Sequence, residues 1–278
     1  MNRTAKLIMR PLARSDRDAV LNLINADRLP GQPRATAADL TDALKGRSRH
    51  DAEWWKALDA PVTVVAVEGG AVVGVVSFAV RRKDDTGLIL WLHCREREEV
   101  AAALVAYAVD ALAGRARLEA FQFASALGLG LEGLPVRHRP ATHAALLRAG
   151  FRGDDLWSYM RADLPLNIPG VPGVRSKRAG DGWELTLSEG GRQVAEASVS
   201  APEQGIGVLR WLEAHVTGRG FGRAMLGSAA AVLAKQGARE MILYVDDDNP
   251  RERSRVAAKG LYRSAGFVEV DRLFSYVR

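Results

Sequence analysis

The chain has 278 residues, of which 47% are hydrophobic and 26% are charged, and this length and composition predict a soluble globular protein of two domains. No apolar stretch approaches the roughly 20 residues that a membrane-spanning helix needs, so no membrane segment is expected. The net charge of +6 comes from arginines spread along the whole chain, which argues against nucleic-acid binding but suits a polyanionic cofactor.

The first half of the chain predicts an alternation of strands and helices. Leu7–Leu12 is an apolar strand, and apolar residues recur at helical spacing near Asp16–Arg28 and Ala37–Leu58. The elements that follow are a hairpin of Thr63–Val67 and Val72–Val80 around Glu68-Gly69-Gly70, a strand at Leu88–Leu92, a helix at Glu98–Leu112, a strand at Leu118–Phe123 and a helix at Thr142–Ala149. Gly150 is suited to end that last helix with a left-handed cap.

The second half of the chain repeats this order without the leading strand and helices. Its predicted elements are strands at Glu184–Ser188, Val194–Ser200 and Val208–His215, a helix at Phe221–Lys235, a strand at Glu240–Val245 and a helix at Ser254–Ala265. A connector rich in proline and glycine, Leu164–Gly182, precedes them. We therefore predict one domain at 1–163, a linker at 164–182 and a second domain at 183–278.

Four short sequence matches indicate that the two halves are copies of one repeat. The matched pairs are Glu68–Gly70 with Glu189–Gly191, Gly87–Leu92 with Gly207–Leu212, Leu147–Phe151 with Tyr262–Phe267, and Leu156–Arg161 with Leu273–Arg278. They occur in the same order, the second pair offset by 120 positions and the fourth by 117. The alternative is two unrelated β-rich domains that share common turn residues, because Gly-Gly turns alone are frequent.

The segment Gly218–Arg223 follows a predicted strand, runs into the start of a predicted helix and has glycines at alternate positions. Such glycines let the backbone approach a ligand closely, and the free amides at a helix start favour a phosphate. Arg219 or Arg223 could add a charged contact. The Gly-Lys-Ser/Thr ending of a Walker loop and the third glycine of a dinucleotide fingerprint are both missing. An ordinary turn before a helix is the alternative.

The stretch Gly218-Arg-Gly-Phe-Gly222 resembles the coenzyme A loop of the GNAT superfamily of N-acetyltransferases, whose pattern is Arg/Gln-x-x-Gly-x-Gly/Ala. The leading position is Thr217, a departure that removes one side-chain contribution but leaves the backbone amides. Downstream, Asn249 and Leu261–Phe267 resemble the asparagine and the Leu-Tyr-x-x-x-Gly-Phe ending of the family, with Pro250–Arg255 as an insertion between them. The resemblance covers nearly the whole chain as two copies, but the specific motifs lie only in the second.

The resemblance implies that acetyl-CoA is the co-substrate. The binding residues that it implies are Leu212, Glu213, Ala214, Thr217, Gly218, Arg219, Gly220, Phe221, Gly222, Arg223, Asn249 and Tyr262. It also implies that a neutral amine attacks the thioester directly, that backbone amides near Leu212 and Glu213 orient the carbonyl, and that Tyr262 donates a proton to the departing thiolate.

The general base is less clearly indicated. Glu213 and His215 are candidates, because they follow the strand toward the expected reacting centre. The alternatives are surface roles for both, and a core position for Tyr262. Asp246–Asp248 either attract a cationic acceptor or simply end a strand in solvent.

The first copy has lost the glycines. At the offset of 120, Glu98, Val100 and Ala102 stand where the second copy has its three glycines, and Leu146 stands in the position of Tyr262. Glu99 stands in the position of Arg219, so two carboxylates, Glu98 and Glu99, would repel a diphosphate there. The sequence therefore predicts a degenerate first copy that does not bind coenzyme A productively.

Together these observations predict an α/β (α+β) protein of two tandem GNAT-like mixed-sheet domains, the N-terminal one degenerate. The predicted activity is acetyl-CoA-dependent acyl transfer to a primary amine of a small molecule. The alternatives are a non-catalytic coenzyme A-binding or sensing protein, and an acetyltransferase of protein lysines or N-termini.

Further expectations concern partners and location. The single cysteine, Cys94, precludes an intramolecular disulfide and fits a reducing cytoplasm. Five scattered histidines predict no metal site. We expect a monomer or homodimer with no nucleic-acid or membrane partner.

Overall fold

The computed structural model describes residues 6–216, 218–246 and 255–278. The chain divides into two compact units. The first, here called the N-unit, runs to Leu156 and also includes Arg272–Arg278; the second, the C-unit, is Trp157–Asp271.

The N-unit contains most of the first copy of the repeat. Its elements are β1 (Ile8–Pro11), a 3₁₀ turn (Arg14–Asp16), α1 (Arg17–Ala26), α2 (Ala37–Leu44), α3 (Ala52–Lys56), β2 (Val62–Glu68), β3 (Ala71–Arg81), β4 (Thr86–His93), α4 (Glu98–Ala111), β5 (Arg117–Ala120), β6 (Leu134–Pro135), α5 (Pro140–Arg148) and the first part of β7 (Arg152–Asp163). The C-unit holds the rest of β7, then β8 (Arg175–Ala179), β9 (Gly182–Glu189), β10 (Arg192–Ser200), β11 (Ile206–Ala214), α6 (Phe221–Lys235), β12 (Glu240–Asp246), α7 (Arg255–Ser264) and the start of β13 (Val268–Val277).

The sheet of the N-unit is covered on both faces, and its order is β1-β2-β3-β4-β5-β13. All neighbours are antiparallel except β4 and β5, which are parallel. Because side chains alternate along a strand, Val64 and Val76 pack with α4 and α5 on one face, while Val65 and Val75 pack with α1, α2 and α3 on the other. Burial on both faces explains why these strands are nearly continuous apolar runs.

The sheet of the C-unit has the order β7-β12-β11-β10-β9-β8, with β11 and β12 as its parallel pair. Helix α6 buries Met225, Leu226 and Leu233 against it. The approach is close at Gly207, where a Cβ would lie 2.6 Å from a Leu233 methyl group. A larger residue at this strand position would push the helix off the sheet, which gives a packing reason for one of the repeated glycines.

The boundaries of the units differ from the predicted domains, because each unit contains the terminal strand of the other copy. In the N-unit, Tyr276 of β13 pairs with Ala120 of β5. In the C-unit, Tyr159 of β7 pairs with Tyr244 of β12. Both Tyr159 and Tyr276 are fully buried. The matched sequences Leu-Trp-Ser-Tyr-Met-Arg and Leu-Phe-Ser-Tyr-Val-Arg therefore occupy corresponding sheet positions in exchanged units.

The segment predicted as a linker, 164–182, is part of the C-unit. Arg175–Ala179 forms β8 and pairs with β9. Ile168 is buried in the core, and the Val171 amide donates to Ser228 Oγ at 3.1 Å. A Cβ on Gly227 would lie 2.3 Å from the Pro169 carbonyl oxygen, so the segment lies directly on α6. Proline and glycine correctly indicated irregular backbone, but here that backbone is packed.

Two predicted elements differ in extent. The helical segment predicted at Ala37–Leu58 is two helices, α2 and α3, because Gly46 and Asp51 between them take left-handed φ angles of 64° and 54°. The strand predicted at Leu118–Phe123 ends at Ala120, since Phe121 has a φ of 56°. Helix α6 has the predicted bounds. None of the helices in the described ranges is both long and apolar enough to cross a membrane.

Candidate functional site

The candidate site lies in the C-unit, where two parallel strands separate. β11 and β12 pair only from Ile206 to Leu209 on one side and from Glu240 to Leu243 on the other. Arg210 is an extra residue in the ladder with β10, and this bulge coincides with the divergence. β11 continues to Ala214, paired with β10 alone. The ladder between β11 and β12 therefore ends at the bulge, which leaves a gap between the two strands beyond it.

Backbone amides are exposed at the start of α6, just after this gap. Gly220 is the N-cap, and the first hydrogen bond into the helix is donated by the Ala224 amide to the Gly220 carbonyl at 3.0 Å. The amides of the three residues between them have no acceptor within the helix. Gly218 and Gly220 both have φ of +77°, and a Cβ on either would meet no atom within 4 Å. The helix start thus presents free donors to open space, where its dipole favours an anion.

The end of β11, the start of α6 and helix α7 meet around Gly222. A Cβ at this position would lie 3.5 Å from Leu261, 3.8 Å from Ala214 and 3.9 Å from Leu212. The structure therefore brings together three of the predicted binding residues. Tyr262 follows Leu261 in α7 and therefore lies near the glycine segment. Its side chain is half-buried and packs edge-on against Phe267, with ring centroids 5.8 Å apart.

Both arginines of the segment already have partners. Arg219 binds Glu189 through two hydrogen bonds of 2.7 and 3.1 Å, and its guanidinium lies 5.1 Å from the Phe221 ring centroid. Arg223 donates to Ser264 Oγ at 2.8 Å. These contacts are exposed, so either arginine could exchange its partner for a phosphate at little cost. Neither Glu189 nor Ser264 was among the predicted site residues. The repeated Glu-Gly-Gly turn could have pointed to Glu189, but no feature of the sequence indicates the contact of Ser264.

The candidate bases lie on a different face from the glycine segment. Leu212 and Ala214 pack toward α6, so the alternation of β11 directs Glu213 to the opposite face of the sheet. Glu213 is half-buried. His215 is exposed just past the strand, with its Nε2 3.4 Å from Gln193 Nε2. Their roles as bases stay predictions. Thr217 and Asn249, like Asp247 and Asp248, lie outside the described residues.

The first copy has the same strand geometry but a different helix start. β4 and β5 pair from Thr86 to Ile89 and then diverge, and Leu90 forms a bulge that corresponds to Arg210. The connection from β4 to α4 is shorter, however, so α4 starts at Glu98 with Arg97 as its N-cap. The offset of 120 therefore fails in this loop, and the counterpart of Glu98 is the first residue of α6 rather than Gly218.

The opening in the N-unit is occupied by Arg139. Its side chain is buried, and Nη2 donates to the Leu92 carbonyl at 2.8 Å and to Thr142 Oγ1 at 3.2 Å. Nε donates to Glu96 Oε1 at 2.5 Å. A side chain therefore occupies the edge of β4 beyond its ladder with β5. This contact supports the prediction of a degenerate copy on better grounds than repulsion by carboxylates.

No group of three or more His, Cys, Asp or Glu side chains within the described ranges is arranged to hold a metal ion. Burial raises the pKa of the Cys94 thiol to about 11.

Comparison with known proteins shows the fold. No protein-family model and no curated protein matches the chain. Among solved structures, a tandem GNAT protein from the clavulanic acid biosynthesis pathway is similar over 98% of both chains, with 18% identity and a TM-score of 0.64. A GCN5-related N-acetyltransferase from Sphaerobacter thermophilus is similar over 98% of this chain and 95% of its own, with 17% identity and a TM-score of 0.59. A putative acetyltransferase from Pyrococcus horikoshii is similar over 98% of this chain and 89% of its own, with 12% identity and a TM-score of 0.52. The chain has the mixed α/β fold of the tandem GNAT proteins.

Proposed function

We propose that the chain is an acetyl-CoA-dependent N-acyltransferase whose site lies in the C-unit and transfers an acyl group to a primary amine of a small molecule. The observation that carries this proposal is the uncapped start of α6, with two left-handed glycines opening onto space, beside the part of β11 that lies beyond its ladder with β12. A phosphate-bearing ligand with an extended amide arm fits both features. Proteins of the same fold that are named acetyltransferases add support.

The residues fit coenzyme A in three respects. The free amides at the start of α6, with Arg219 and Arg223 near them, suit a pyrophosphate. The part of β11 after Arg210, which lies beyond the ladder with β12, suits the amides of the pantetheine arm. Gly222 leaves room between Ala214 and Leu261, where a side chain would otherwise stand. When bound, acetyl-CoA would supply an activated acyl group as a thioester.

The chain itself would supply orientation and a proton. Backbone groups of β11 would hold the carbonyl in the direction of the acceptor, which lowers the entropic cost of the attack. The Tyr262 hydroxyl would protonate the leaving thiolate, since a phenol and an alkyl thiol have comparable acidity. Glu213, on the other face of β11, would take the proton of the amine directly or through water.

The test has two parts. Calorimetry with acetyl-CoA should show binding at one site per chain, because Arg139 occupies the corresponding opening of the N-unit. The protein and acetyl-CoA should then be mixed with a panel of amino sugars, polyamines and amino acid derivatives. With an accepted amine, free thiol should be released faster than in the same mixture without the amine. The protein adds little background, because Cys94 is its single cysteine and is fully buried. Absence of binding refutes the whole proposal, whereas binding with no turnover on any amine refutes the catalytic part.

A further inference from the structure

One edge of the C-unit sheet is open to solvent. Within the described ranges, β8 (Arg175–Ala179) is the outermost strand of this sheet and pairs with β9 alone. In an antiparallel ladder, only alternate residues direct their N–H and C=O groups at the neighbouring strand. The other N–H and C=O groups of β8 therefore point outward. The first four residues of the strand are all exposed, so this backbone edge is accessible.

The outer strand of the N-unit sheet is different. β1 has four residues and ends at Pro11, which has no N–H to donate. Its cation, Arg10, is held by Asp16 through hydrogen bonds of 2.6 and 2.9 Å. β8 contains no proline, and its ladder with β9 runs without a bulge from Arg175 to Ala179. A regular edge of this kind is what an extended peptide needs in order to add a further strand to a sheet.

The side chains of β8 make this edge basic. Arg175, Lys177 and Arg178 are cationic, and the strand contains no acidic residue. The guanidinium of Arg178 lies 5.2 Å from the ring centroid of Trp183, which packs on the core that α6 covers. Because side chains alternate along a strand, Arg175 and Lys177 lie together on the opposite face of the sheet.

The charges of Arg175 and Lys177 are available to a partner. On β9 these two residues stand opposite Thr186 and Glu184. Within the described part of the chain, neither cation forms an ion pair or a side-chain hydrogen bond. Opposite charges on neighbouring strands stabilise a sheet. Carboxylates two residues apart on an added strand would therefore meet both cations.

Two other occupants suit this edge less well. A second copy of β8 would bring three cations against three, and like charges on neighbouring strands destabilise the pairing. A nucleic acid would match the charge, but its phosphates only accept hydrogen bonds and could not pair with the outward C=O groups. An extended peptide offers both donors and acceptors along the whole edge.

We propose that β8 is a docking strand for an acidic, extended peptide segment of a partner protein. The segment joins the sheet as a further strand through main-chain hydrogen bonds, with carboxylates at alternate positions beside Arg175 and Lys177. This surface is separate from the proposed acyl-transfer site, because β9 and β10 lie between β8 and β11. At about 4.8 Å per strand, the two strands are about 14 Å apart.

Four fluorescently labelled probes test the proposal on the full-length wild-type chain. The first is a capped peptide, Thr-Glu-Val-Glu-Val-Glu-Thr. The second has lysine in place of glutamate, and the third has proline in place of valine, which keeps the charge but removes main-chain donors. The fourth is a single-stranded thymidine tetramer, whose three phosphates carry the same charge as the first peptide.

The readouts are fluorescence anisotropy for affinity and backbone ¹H–¹⁵N resonances for location. The glutamate peptide should bind saturably, about tenfold or more tighter than each of the other probes, and should shift the amide resonances of β8. Absence of saturable binding, shifts that leave β8 untouched, or equal binding of the proline peptide or the tetramer overturns the proposal.

Charge reversal tests the two cations. Arg175→Glu combined with Lys177→Glu should weaken binding of the glutamate peptide about tenfold or more and should make the lysine peptide the tighter ligand. Lys6→Glu combined with Lys235→Glu, at two exposed positions, changes the net charge equally and should leave the preference unchanged. Unchanged affinity in the β8 variant, or equal weakening in the control, contradicts the assignment. If the β8 variant does not fold, the four probes on the wild-type chain decide.

Discussion

Arg219 and Glu189 form a two-point ion pair, with Nη1 2.7 Å from Oε2 and Nη2 3.1 Å from Oε1. The N-unit has the corresponding pair, Arg97 with Glu68, at 2.8 and 3.3 Å. Each glutamate ends the first strand of a hairpin, and each arginine lies at or just before the N-cap of the following helix. Since the N-unit has the pair without the glycines, the pair fastens the loop to the hairpin whether or not an anion binds.

Glu189→Gln should raise the affinity for acetyl-CoA. The pair holds Arg219 beside a carboxylate that an incoming phosphate must displace, and an exposed pair of this kind is worth up to about 1 kcal/mol. We expect the dissociation constant measured by calorimetry to fall by up to about fivefold. Glu68→Gln is the matched control, because it breaks the equivalent pair in the N-unit and should change nothing. A weaker or unchanged affinity in Glu189→Gln would mean that Arg219 takes no part in binding.

Substitutions at Gly222 should separate binding from folding. The position does not require a left-handed φ, and a Cβ there makes only ordinary contacts of 3.5–3.9 Å. Alanine and valine should therefore fold, while their side chains enter the space proposed for the ligand. The acetyl-CoA affinity should fall in the order Gly, Ala, Val, with at least a tenfold loss for valine, about 1.4 kcal/mol. Gly260→Ala, whose Cβ would meet nothing within 4 Å, should bind as the wild type does.

Tyr262→Phe should slow the chemical step more than it weakens binding. Removing a proton donor lowers kcat by about 100-fold or more, whereas the ring and its contact with Phe267 remain. The KM for acetyl-CoA should stay within a few-fold of the wild-type value in the thiol-release assay. Tyr107→Phe, in α4 of the N-unit, is the control for loss of a hydroxyl elsewhere. Equal kcat in Tyr262→Phe and wild type would assign the tyrosine to packing.

Acidification should destabilise the N-unit before it affects most carboxylates. Burial lowers the pKa of both His93 and His143. The unfolded chain, with a histidine pKa of about 6.5, therefore binds more protons than the folded chain once the pH drops below that value. The folding stability that is linked to these two histidines is fully present above about pH 6.5 and decreases as the pH falls below that value.

The urea midpoint measured from pH 8 to pH 5 tests this dependence. His143→Gln should reduce the slope of the urea midpoint against pH. His93 faces Asp27, Arg139 and Glu96. Although burial opposes ionisation of Asp27, the hydrogen bond from His93 and the charge of Arg139 keep the pKa of Asp27 below its usual value. Asp27 therefore adds its own loss of stability only near and below pH 4. A midpoint that stays constant or rises between pH 7 and pH 5 would contradict the assignment.

Local elements of this fold follow from the sequence, because periodicity and turn residues are local signals. Helix α6 has the predicted bounds, and both Glu-Gly-Gly turns form hairpins. The glycine segment could also be located at the start of α6, because glycines at alternate positions before a helix are a local sequence signal for this backbone conformation. The bulge at Arg210 left no sequence sign, because it follows from the pairing of β11 with β10.

Pairings and contacts between segments that are distant in the sequence could not be predicted. Leu156–Arg161 and Leu273–Arg278 have the same pattern, so the sequence does not indicate which sheet takes which strand. The burial of Arg139 depends on Glu96, Asp27 and a carbonyl far along the chain. For the same reason, the offset of 120 holds along the strands and fails in a loop whose length differs between the copies.

The terminal strands that each unit takes from the other repeat make the chain indivisible at its apparent midpoint. A fragment ending near residue 163 would lack β13 and expose the edge of β5, and a fragment starting near residue 183 would lack β7 and expose the edge of β12. Bare edges of this kind promote aggregation. The two halves of the chain are therefore expected to give soluble protein when they are expressed together and to aggregate when each is expressed alone. The two repeats would then be mutually dependent parts of one fold and not independent domains.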